Sequence, residues 1–170
     1  GANNAETPCD FTYTGIKNDT TRNMIADAKW SLLGWLDEGV NVYADQSYKL
    51  ENTSGTVYTG NKTSWTGKIA LPYPSDYAYS AYLGKCTSTL GEYSNCSSWM
   101  KTMFNSKTIA LLTPIVSSSF VFHVAGGCLD LGEPYAALDS EIFPTFYLNA
   151  NVSIKTGSGT LNSPYQLSVG

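Results

Sequence analysis

Two stretches hold most of the side chains able to do chemistry. One contains His123, the only histidine of the chain, inside FVFHVAG (120–126). A nucleophile needs a positioned base beside Ser, Thr or Cys, and no GxSxG elbow accompanies this one. Strand alternation turns His123 away from Phe122 and Val124, toward solvent, where it reads as a structural strand residue. The other stretch is CLDLGEPYAALDSE (128–141), carrying Asp130, Glu133, Asp139 and Glu141. Two carboxylates can run a glycosidase. Several oxygens around one point can hold calcium. The plainer reading is an acidic surface loop. The residues thus predict no enzyme and no cofactor, with calcium near these four carboxylates as the one cofactor considered.

The cysteines are Cys9, Cys86, Cys96 and Cys128. No CxxC or Cys/His cluster offers a zinc site, so two disulfides in an oxidising compartment are expected. Cys86 and Cys96 bracket the polar loop TSTLGEYSN and should pair, leaving Cys9 for Cys128.

A third stretch, YPSDYAYSA (73–81), places Tyr73, Tyr77 and Tyr79 around Asp76. Tyrosine rings with polar tips suit contact surfaces and sugar stacking. The same residues also suit scaffold: prolines fix the loop, Asp76 accepts backbone N–H bonds in an Asx-type turn, and the rings pack inward. We expect mostly scaffold, with Tyr73, Asp76, Tyr77, Tyr79 and Tyr135 as the candidate contact surface.

The elements that position these residues follow from the pattern. At 170 residues the chain fits one domain, and its hydrophobic content of 42% can fill a core. Charged residues make up only 14%, against a usual ~25%, which suits a β-rich extracellular domain. With a net charge of −4 and scattered basic residues, nothing offers a phosphate footprint, so nucleic acid is not an expected partner. No apolar stretch is long enough to cross a bilayer. Gly1-Ala2-Asn3-Asn4 reads as a tag remnant or trimmed start, and any membrane anchor is expected ahead of residue 1.

Residues 1–12 read as an extended lead-in and 13–170 as one α+β ectodomain. Asn18 or Asp19 should cap a helix running to about residue 29, with Met24, Ile25 and Ala28 as its apolar stripe. A strand follows. VNVY and GTVYTG read as short strands, as does WTGKIALPY until Pro72 and Pro74 stop it. SSWMKTMF (97–104) reads as a helix capped by Ser97 or Ser98. TIALLTP and SSFVFHVAGG read as strands, and the C-terminal residues as a closing strand pair. Sequons at Asn18, Asn52, Asn61, Asn95 and Asn151 reflect richness in Asn, Ser and Thr.

Taken together, YTGIKNDTTRNMI, WTGKIALPYPSDYAYSA, the Cys86–Cys96 loop followed by SSWM, LLTP and FPTFYLNANVSIKTGSGTLNSPYQL resemble bacterial pilin-like and type II secretion-like surface-protein ectodomains. The C-terminal pattern is similar to C-type-lectin-like domains. GEPY is similar to the Glu-Pro-Asn sugar and calcium motif of C-type lectins, with Tyr135 at the amide ligand's place. Phe143-Pro144 stands where those relatives carry Arg-Pro. The resemblance implies a C-type-lectin-like α+β fold and display at the cell surface. Adhesion or assembly with other surface subunits, or binding of a glycan or protein by a lectin-like module, are the functions expected from it.

Overall fold

Short apolar runs punctuated by Gly, Pro, Ser and Asn cannot sustain long elements, and every element observed is short. The computed structural model describes residues 19–35, 40–57, 59–81, 86–104, 107–116, 121–132, 141–160 and 162–170. Helix α1 (Asp19–Asn23) leads to strand β1 (Ala28–Ser31). Helix α2 (Ala44–Lys49) runs on into a π-turn (Leu50–Ser54). Strand β2 (Ser64–Gly67), helix α3 (Pro74–Tyr79), a 3-10 helix (Leu90–Asn95) and helix α4 (Trp99–Phe104) follow. Strands β3 (Ile109–Pro114), β4 (Val121–Ala125), β5 (Cys128–Gly132), β6 (Val152–Thr156) and β7 (Gln166–Val169) complete the described elements.

The sheets are antiparallel: β1 with β2, β3-β4-β5, and β6 with β7. The α+β class is therefore observed. The helix expected to reach residue 29 stops at Asn23. Its would-be stripe serves packing instead: Met24 and Ile25 are buried, and Ile25 bridges Leu148. The strand expected at VNVY gives way to α2 a residue later. Tyr43 N–H donates to Gln46 Oε1 at 2.9 Å, the N3 half of a capping box. CLDLG forms β5 rather than loop, because Gly126 and Gly127 take φ of +58° and +84° and close a tight β4–β5 hairpin.

The main core gathers Trp35, Tyr77, Phe104, Ile109, Leu111, Phe122 and Val124 between the central sheet and the helices. Trp35 packs on Phe122 with ring centroids 4.5 Å apart. A second cluster centres on Trp30, whose Nε1 donates to the Gly67 carbonyl at 2.9 Å. Strand β3 is buried along Ile109–Thr113 without alternation. Strand β4 is likewise buried along Val121–Val124. Both faces of the sheet are thus covered, so His123 is buried at 6% exposure instead of facing solvent. Among the described residues no helix is long and apolar enough to cross a membrane.

Cys86 and Cys96 are disulfide-bonded with Cα atoms 5.3 Å apart. Cys128 is half-buried and bonded to no cysteine among the described residues. Its expected partner Cys9 lies outside the described residues, as do residues 1–12, so that bridge stays an expectation. Closing a loop of about ten residues stabilises by roughly 2–3 kcal/mol. A Cys86→Ser, Cys96→Ser double variant is expected to lose that amount in urea unfolding. An unchanged midpoint, or peptide mapping that finds Cys86 joined elsewhere, contradicts it.

Candidate contact site

YPSDYAYSA is a helix start rather than an open loop. Pro74 takes the first helical position, where a missing N–H costs nothing. Asp76 Oδ2 accepts the Tyr73 N–H at 2.9 Å, so the expected carboxylate cap is present, as the N3 member of a capping box. The motif therefore repeats the chemistry that starts α2, with Asp76 standing where Gln46 stands there.

The three tyrosines divide. Tyr77 is fully buried; its hydroxyl donates to the Gly127 carbonyl at 2.8 Å, and its ring stacks on Phe104 at 6.0 Å. Tyr73 is also buried, and its hydroxyl donates to the Ser31 carbonyl at 3.0 Å. Burial raises the pKa of both phenols above the ordinary range. These two are scaffold. Tyr79, the last residue of the same short helix, points out at 47% exposure.

Tyr79 does not stand alone. Tyr48 of α2, 54% exposed, meets it edge-on at 6.3 Å. Tyr147, 57% exposed, lies face to face with Trp30 at 5.1 Å. Its phenol pKa is raised, first by partial burial and then by the nearby Asp76 and Tyr48. Asp76 itself is at the surface, and the crowding around its carboxylate raises its pKa while the Tyr73 N–H bond lowers it. Tyr48, Tyr79 and Tyr147 thus gather at Asp76 as an exposed aromatic face. Sequence reading found Asp76 and Tyr79 but missed Tyr48 and Tyr147, which come from distant segments and carry no local motif. Tyr135 lies outside the described residues.

Beneath this face sits Glu51, also missed. It is fully buried. Its Oε1 accepts from Ser47 Oγ at 2.6 Å and from the Ser75 N–H at 3.0 Å; its Oε2 is hydrogen-bonded to Ser75 Oγ. The i, i+4 spacing of Ser47 and Glu51 within QSYKLE was the available signal.

The acidic stretch does not assemble among the described residues. Asp130 on β5 lies opposite His123 on β4. Glu141 forms an ion pair with Lys107. Glu133 and Asp139 lie outside the described residues. No group of three or more His, Cys, Asp or Glu residues sits together among those described. The His123 pKa is lowered by burial, partly offset by Asp130. A cavity of about 510 Å³ lies between α4 and the β4–β5 turn, lined by Tyr77, Ser98, Lys101, Phe104 and Gly127 among others. Lys101 there donates to the Ser94 carbonyl.

The division between scaffold and surface sets the mutational response. Tyr77→Ala is expected to cost about 3–5 kcal/mol in urea unfolding, as for a large buried aromatic. Asp76→Ala should cost about 1 kcal/mol through the lost cap. Tyr79→Ala should stay within about 0.5 kcal/mol of the parent. A Tyr79→Ala loss as large as that of Tyr77→Ala contradicts the assignment.

No protein-family model matches the chain, and no curated protein or solved structure does either. The pilin-like and lectin-like resemblance accordingly rests on its motifs alone.

Proposed function

We propose that this chain is a non-enzymatic domain of a secreted or surface-displayed bacterial protein, pilin-like in role, that works by contact in adhesion or assembly. The observation that carries the reading is the exposed face of Tyr48, Tyr79 and Tyr147 at Asp76. Solvent-exposed rings with polar tips are the side chains that dominate binding hot spots. Tyr73 and Tyr77, by contrast, have internal partners for their hydroxyls and serve the scaffold. The disulfide and the low charge content support an oxidising, extracellular setting.

The second reading, a lectin-like module, uses the same face. Rings that stack on sugar planes, flanked by a carboxylate that accepts from sugar hydroxyls, have the chemistry for a glycan. A C-type-lectin-like fold belongs to this reading and rests on the sequence resemblance.

Two measurements separate the readings. Sedimentation of the purified chain detects self-association, and a glycan array detects sugar binding. Whichever contact is found, a Tyr48→Ala, Tyr79→Ala double variant is expected to weaken it about tenfold or more. Its melting temperature should stay within about 2 °C of the parent. Self-association without glycan retention favours assembly, and retention favours the lectin-like module. A chain that does neither, or a contact untouched by the double variant, overturns the proposal.

A further inference from the structure

We infer that Glu51 is a proton-operated latch: its neutral carboxyl holds the π-turn after α2 against α3, and ionisation loosens that junction. The geometry has three parts. Glu51, Ser47 and Ser75 are all buried, with Glu51 at 0% exposure. The carboxyl joins two helices: Oε1 accepts from Ser47 Oγ on the α2 side and from the Ser75 N–H on the α3 side, and in the neutral state the Oε2–H donates to Ser75 Oγ, a bond that ionisation must reverse. The backbone of the same residue is tied to β1, because Ser31 Oγ donates to the Glu51 carbonyl. Loosening this one residue therefore acts on three elements.

Among the described residues no cation pairs with the carboxylate. The ion pairs among the described residues are Arg22–Asp19, Lys68–Asp27 and Lys107–Glu141, and none includes Glu51. The groups facing it are polar but neutral, or negative. From α2 comes Ser47, from β1 Ser31, and from the start of α3 Ser75, Asp76 and the neutral Tyr73 phenol. Asp45 and Lys49 of α2 are exposed. A buried charge so placed is costly, and the group responds by holding its proton. Burial is the largest cause and Asp76 adds to it; against the opposing serine hydrogen bonds they push the Glu51 pKa up from 4.5 to about 7.

The sign follows from linkage. Below pH 4.5 the folded and unfolded chains both keep the Glu51 proton. As pH rises toward 7 the unfolded chain releases it and the folded chain does not, so the stabilisation falls. Above pH 7 the loss is complete. Tyr48 and Tyr79 touch across the latched junction, so the exposed aromatic face sits on the segment whose firmness changes. The latch stands whether or not that face binds a partner.

The test uses the whole chain. The side-chain carboxyl carbon of Glu51, followed by NMR on ¹³C-labelled protein, is expected to titrate with a midpoint near 7. Amide exchange, corrected for intrinsic rates, is expected to show Ser75, Tyr77 and Ser80 losing protection by about tenfold or more between pH 5.5 and 8, relative to Phe122 and Val124. Glu51→Gln keeps the shape and hydrogen-bonding capacity without the titration, and its protection should not change over that range. A Glu51 midpoint near 4.5, constant protection in the parent, or the same loss in Glu51→Gln overturns the latch. If Glu51→Gln does not fold, the parent's midpoint and protection decide.

Discussion

The Tyr77 hydroxyl has to leave water when its ring enters the core, and it is satisfied by the carbonyl of Gly127, fifty residues away in sequence. Much of the fold hangs on that pairing. A buried phenol without a partner would cost on the order of 1–3 kcal/mol, so α3 must lie where the β4–β5 turn can reach it. That turn needs two left-handed residues, and Gly126 and Gly127 provide them. The ring then becomes a wall for its neighbours. Tyr93 of the 3-10 helix packs at 5.9 Å and Phe104 of α4 at 6.0 Å. The Tyr93 hydroxyl returns to α3 by donating to the Ala78 carbonyl at 3.0 Å. The disulfide at Cys96 fixes the end of that 3-10 segment against the same core.

Around the opposite side of α3, two carboxylates do related work in unlike surroundings. Asp76 lies at the surface and closes its own helix by accepting the Tyr73 N–H. Glu51 lies inside and accepts the Ser75 N–H from another segment. One caps locally and is legible as a spacing; the other caps across 24 residues of chain and exists only once α2 and α3 are packed together. Asp76 adds to the cost of ionising both Glu51 beneath it and Tyr147 beside it, so it links the buried carboxyl to the aromatic face.

The sequence by itself determined what depends on neighbours in the chain. Short apolar runs marked β3 and β4, with alternation visible only in the second; Ser97 or Ser98 marked the start of α4, where Ser98 accepts the Lys101 N–H; and the short polar loop marked the Cys86–Cys96 bridge. Asp76 as a cap and two inward tyrosines were equally legible, because prolines and a carboxylate at N3 act within one helical turn. Tertiary structure decided the rest. His123 is buried because the sheet is covered on both faces, and alternation in one strand cannot report what lies on its far side. Segment 40–57 reads as polar residues with short strands at VNVY and GTVYTG, yet it forms α2 and the π-turn, which depend on packing against α3 because six-residue helices do not stand alone in water. Tyr48, Tyr79 and Tyr147 become one face, and Glu51 a buried acid, only through contacts between segments far apart in the chain, and no local pattern encodes such contacts.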